Sequence, residues 1–293
     1  MSDSAAQQAL ERVLVWTRDH TNDWPYGDTF EGLLRATFAR ATNTYSAAVM
    51  LTKAGYGPPA VMLARSLFED TFVAYWMVWG PHESEWIVKR LTDQHNYFRL
   101  LRKATADSYP HVAGKVSLPD EADLREEKTR YEKLFGEYGQ HPWWANDIEE
   151  VKVGEGGVKR YKLIGRRSIP DLIGELEEAA EKKANTGESF LTGGPLLPLV
   201  KDMRLMYVFV QSMNNQTLHH TSLDVLGGFR THERSLAWRE GPTDDVVVRR
   251  ARGSLYLAFE KLIYLMGDRF NLELITEFLA INPDGFEPFV SSE

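Results

Sequence analysis

Positions 58–79 run for roughly six helical turns, and Arg65, Glu69 and Asp70 are the charged residues among them. A helix that is apolar on nearly every side has no solvent face and must be enclosed by other elements. Its length is also compatible with a membrane span, since about 20 apolar residues suffice. The three charges near its centre argue against that, because each is costly in hydrocarbon. The expected role is therefore the buried centre of a helical bundle. Gly55 and Gly57 end the preceding helix, Pro58–Pro59 favour a new first turn, and Gly80–Pro81 stop it.

The rest of the chain supplies the surrounding helices. Positions 4–20 read as a short amphipathic helix, and Asp28 with Glu31 makes a capping-box start for a helix reaching about residue 54. Helical periodicity resumes over about 82–107, 119–138, 168–184, 195–220, 244–270 and 272–280. The rhythm breaks over 139–167, where the extended segments 150–153 and 158–164 flank Gly154-Glu-Gly-Gly157, a hairpin signal. The fold class is all-α: one helical domain spanning 1–293 as a multi-helix bundle around the buried helix 58–79. It carries one inserted β-hairpin at about 150–164, within a basic insertion at 139–167.

Charge and cysteine content narrow the chemistry. With no cysteine, disulfides, thiolate metal sites and a Cys nucleophile are excluded, and a reducing, cytoplasmic setting is expected. The first residues lack the apolar core of a secretory signal. A net charge of −8 opposes overall attraction to nucleic acid. Locally the sign reverses: Lys152, Lys159, Arg160, Lys162, Arg166 and Arg167 face the single acid Glu155 between 151 and 167. Lys159, Arg160, Lys162, Arg166 and Arg167 are candidate substrate-binding residues on that hairpin, for RNA or for a protein partner.

Three polar constellations are candidates for function. Arg65 and Glu69, four residues apart, share a helical face, and Leu63, Ala64, Leu67, Phe68, Phe72 and Val73 around them predict partial burial. Such a pair either clamps helices together or positions a catalytic or binding group. Ser212, Asn215 and His219 follow i, i+3, i+7 spacing in the polar last third of the 195–220 helix. A histidine there also gains from the helix dipole without any function. Arg90 and His95 form an Arg-x4-His arrangement, the hallmark spacing of one helical ribonuclease superfamily and also one that arises by chance. His220 and Asp224 could share a metal, but paired Glu-x-x-His and His-Glu-x-x-His motifs are missing. No metal and no other cofactor is expected, and neither a Gly-rich phosphate loop nor a serine nucleophile elbow is present.

The run Gly55-Tyr-Gly-Pro-Pro-Ala-Val-Met-Leu-Ala-Arg-Ser-Leu-Phe-Glu69 resembles a helix common in uncharacterised bacterial proteins, where a Gly-Tyr segment precedes an Arg-Ser-x-x-Glu helix. Leu218-His-His-Thr-Ser222 resembles the His-containing segment of a later helix in those proteins. The likeness covers about residues 30–105 and 200–225. These proteins are similar to abortive-infection and HEPN (higher eukaryotes and prokaryotes nucleotide-binding) helical domains. The resemblance implies a homodimer whose cleft brings together Arg and His from facing helices, with Arg90 and His95 as that pair. A polar residue usually follows that arginine, and Leu91 stands there in this chain.

Two functions from different classes follow. One is a metal-independent endoribonuclease of bacterial defence or toxin type, with His95 as general acid/base and Arg90 stabilising the phosphorane charge. The basic hairpin would then hold the RNA backbone. A variant of that site uses Arg65, Glu69, Asn215 and His219. The other is a non-catalytic helical interaction or sensor module, with a structural Arg65–Glu69 network and the hairpin as its partner-binding arm.

Overall fold

The computed structural model describes residues 2–20, 29–80, 97, 100–107, 111, 122–123, 125–126, 129, 148–151, 160–163, 168–186, 190–191, 194–218, 229–232, 235–238, 245–270 and 273–290. The helices are α1 (Ser2–His20), α2 (Thr29–Lys53), α3 (Gly57–Trp79), α4 (Ile169–Thr186), α5 (Leu196–Leu218), α6 (Asp245–Phe270), α7 (Leu274–Ile281) and the short α8 (Glu287–Val290). The chain is all-α in character. By contacts the chain divides into two compact units, Met1–Pro81 with Leu172–Glu293, and His82–Asp171.

In the first unit the apolar helix expected at 58–79 is α3, and its surroundings explain its composition. It packs against α2, α5 and α6; Asp70–Val78 in its second half are buried throughout, while Met62 in its first half is 39% exposed. Leu67, Phe68, Phe72, Tyr75 and Trp76 are all at most 1% exposed. Each such side chain contributes about 1.5–3 kcal/mol through removal from water. The polar atoms on this helix are aimed at specific partners. Tyr75 donates its hydroxyl to the Lys261 carbonyl at 2.9 Å, and the Thr71 hydroxyl lies 3.1 Å from the Ala258 carbonyl, both on α6. Asp70, 7% exposed, is paired with Arg40 of α2.

The turn from α2 into α3 is built by Gly55. At φ 82° it occupies the left-handed region, which suits a residue without Cβ. Tyr56 N–H donates to the Leu51 carbonyl at 2.8 Å and Gly55 N–H to Thr52 at 3.2 Å, a Schellman closure of the helix end. Pro58 and Pro59 then begin α3, where the missing N–H groups are not needed.

An aromatic stack joins α2 to α6. Tyr45 lies face to face with Phe259 at 4.3 Å between ring centroids, and Phe38 stacks on the same ring at 5.6 Å. The α6–α7 corner needs a glycine for another reason. A Cβ on Gly267 would sit 2.6 Å from Ile275 Cγ1, so the two helices approach where any larger residue collides.

Among the described residues there are three two-stranded antiparallel ladders. In the second unit, β1 (Ile148–Val151) pairs with β2 (Arg160–Leu163), with Ile148 opposite Leu163, Glu149 opposite Lys162 and Val151 opposite Arg160. The glycine-rich residues between these strands lie outside the described residues. In the first unit, β3 (Phe190–Leu191) pairs with β4 (Gly194–Pro195), and β5 (Phe229–His232) with β6 (Ser235–Trp238). Strands of two residues, such as β3 and β4, are too short to show alternation in the sequence. No helix among the described residues is long and apolar enough to cross a membrane.

Candidate functional site

The Arg65–Glu69 pair sits where α3 meets α5. Arg65 Nε donates to Glu69 Oε1 at 2.9 Å, and the two side chains are 28% and 32% exposed. The pair is thus half-buried, as the flanking apolar residues imply. The third member is Tyr207 of α5, whose hydroxyl points to the same Glu69 oxygen at 3.5 Å. That separation is long for an O–H···O bond, so the contact is as much electrostatic as hydrogen-bonded. Tyr207 is only 4% exposed and meets Phe72 of α3 edge-on at 5.7 Å. Guanidinium, carboxylate and phenol therefore answer one another within one cluster that bridges two helices.

The phenol is perturbed by its position. Burial pushes the Tyr207 pKa above its ordinary 10.0, and the neighbouring Glu69 charge adds to the rise while Arg65 opposes it. Replacing Glu69 by glutamine is expected to move the Tyr207 titration back towards 10, read by ultraviolet difference absorbance. An unmoved titration would show that burial alone sets it. Tyr45, Tyr75, Tyr256 and Tyr264 are displaced in the same direction, burial being the first cause in each. The folded chain thus holds phenolic protons that the unfolded chain releases near pH 10. Stability is fully present below that pH and falls as pH rises towards the higher folded-state values.

A second set of contacts ties α4 to α3 and α5. Trp76 Nε1 donates to Glu175 at 2.9 Å, Arg204 to Glu177 at 2.6 Å, and the Lys183 ammonium lies 4.7 Å above the Trp79 ring. Ser168 and Asp171 cap the start of α4, the Ser168 amide donating to the Asp171 carboxylate at 2.6 Å.

Of the residues selected from sequence, Arg65 and Glu69 are brought together with Tyr207. Asn215 lies on α5 eight residues beyond Tyr207, about 12 Å further along the axis at the helical rise. Arg160 and Lys162 lie on β2. Arg90, His95, His219, Lys159, Arg166 and Arg167 lie outside the described residues. Tyr207 escaped the sequence reading, although a signal existed. Met203, Tyr207 and Val210 form the buried stripe of α5, and a tyrosine on such a stripe needs a partner for its hydroxyl.

Among the described residues no group of three or more His, Asp or Glu is placed to hold a metal ion. No curated protein and no solved structure matches the chain. A family model does match, over residues 31–186, which is more than half of the chain and covers most of α2 and all of α3 and α4. The chain belongs to the family of unknown function DUF5677.

Proposed function

We propose that this chain is a non-catalytic helical interaction or sensor module in which Arg65, Glu69 and Tyr207 form a structural clamp between α3 and α5. One observation carries the reading: Glu69 Oε1 is engaged by Arg65 at 2.9 Å and faced by the Tyr207 hydroxyl at 3.5 Å. A carboxylate committed to partners on both helices serves to join them rather than to move a proton. The basic segment that includes Arg160 and Lys162 is the partner-binding arm on this reading. A chain without cysteine suits the cytoplasm.

The competing reading is the HEPN-like endoribonuclease, supported by the 28% exposure of Arg65 beside the carboxylate. It places His95 and Arg90, or Arg65, Glu69, Asn215 and His219, at an RNA-cleaving cleft of a homodimer. The two readings make opposite demands. Incubated with single-stranded and structured RNA, the purified chain is expected to leave both intact. Arg65→Met and Glu69→Gln are expected to cost stability by up to about 1 kcal/mol each, as part-exposed pairs do. Reversing the charges at Arg160 and Lys162 is expected to release a bound partner, while His95→Ala and His219→Ala retain it. RNA cleavage that disappears in either histidine variant would overturn the clamp reading in favour of the ribonuclease.

A further inference from the structure

A cavity of about 230 Å³ opens between α3, α5 and α6. It is bounded by Phe68, Met203 and Leu257, with Lys261 of α6 in its wall and Asp202 and Leu205 of α5 also lining it. Phe68 and Met203 are each 1% exposed, whereas Leu205 is 69% exposed. The site is therefore apolar inside with an open rim. At about 30 Å³ for each water-sized atom, it has room for on the order of eight non-hydrogen atoms. That is below the usual range for drug-sized ligands and suits a small metabolite.

Two side chains of opposite charge line this cavity. The Lys261 ammonium donates to Glu260 at 2.9 Å and lies 5.3 Å from the centre of the Tyr264 ring. An ammonium has three N–H donors, so one bond to Glu260 leaves capacity to address an anion. Asp202 supplies an acceptor for a cation. Charges of both signs beside an apolar chamber match a zwitterion with an apolar tail. We propose that this cavity binds a free apolar α-amino acid. Its side chain would lie against Phe68, Met203 and Leu257, its carboxylate at Lys261 and its amino group at Asp202. The proposal is independent of the choice between clamp and ribonuclease, because it uses none of the residues assigned to either.

Calorimetric titration of the full chain tests it, with L-leucine and L-methionine as probes. The half-ligands are 4-methylpentanoate, which lacks the amine, and 3-methylbutylamine, which lacks the carboxylate. Both amino acids are expected to bind, and both half-ligands to bind at least about tenfold more weakly, since each forfeits a charge-assisted contact. Asp202→Asn is expected to weaken leucine about tenfold and leave 4-methylpentanoate unchanged. Lys261→Met disturbs the Glu260 contact as well, so Leu205→Trp at the exposed rim provides the second variant, expected to block binding without lowering the melting temperature. The proposal is overturned if neither amino acid binds, if 4-methylpentanoate binds as tightly as leucine, or if Asp202→Asn has no effect.

Discussion

Phe259→Ala is expected to lower the unfolding free energy by about 3–5 kcal/mol, the usual range for a phenylalanine removed from a packed core. The ring is fully buried and is the shared partner of Tyr45 and Phe38 across the α2–α6 contact. Its removal forfeits the transfer energy of the side chain and leaves a cavity between two rings whose own positions depend on it. Tyr45 has little freedom to collapse inward, because its hydroxyl donates to the Leu10 carbonyl of α1 at 3.2 Å. Urea unfolding followed by far-ultraviolet circular dichroism measures the loss. Leu279→Ala, at a residue 48% exposed, provides the control and is expected to stay within about 1 kcal/mol of the wild type. Equal losses in the two variants would refute the aromatic stack as the anchor of α6.

Gln7→Leu is expected to cost about 3 kcal/mol, because it removes a partner from a buried charge. Arg252, 8% exposed, donates from Nε to Gln7 Oε1 at 3.1 Å and through a second nitrogen to the Thr52 carbonyl at 3.2 Å. The Thr52 hydroxyl also donates to Gln7 Oε1, at 3.1 Å, and the Gln7 amide donates to the Val49 carbonyl at 3.3 Å. This network joins α1, the end of α2 and α6 in one buried polar knot. Leucine at position 7 would leave the guanidinium short of an acceptor in a poorly solvated place. Combining Gln7→Leu with Arg252→Met removes the stranded charge together with its partner. The double variant is therefore expected to be more stable than the sum of the single losses predicts. Strict additivity in the four-way comparison would show that the two side chains do not communicate.

Helix positions were largely legible in the sequence because they depend on neighbours three and four residues apart. The 58–79 stretch announced a buried helix through its lack of a polar face, and α3 spans Gly57–Trp79. Its stop at Gly80 and the turn before it likewise follow from glycine and proline chemistry. The α4 start was readable from Ser168 and Pro170, and the helix begins at Ile169. Partial burial of Arg65 and Glu69 was also legible, since the side chains around a helical pair follow from spacing alone.

The partners of those side chains were not legible. The sequence placed Arg65 and Glu69 on one face, but Tyr207, whose hydroxyl faces Glu69, was not among the residues it singled out. Local periodicity fixes which stripe of a helix is buried, but not the axial level at which two helices cross. One turn of slippage, about 5.4 Å, changes the partner while leaving both hydrophobic patterns intact. The same limit hid the contact between Gln7 and Arg252, 245 positions apart, and the meeting of Gly267 with Ile275. By itself the sequence determined that a largely apolar helix had to be enclosed over most of its length, and that its Arg65–Glu69 pair would be half-shielded. Only the tertiary structure decided that α5 would set Tyr207 against that pair, because side-chain partnership is settled by how packed helices interlock in three dimensions.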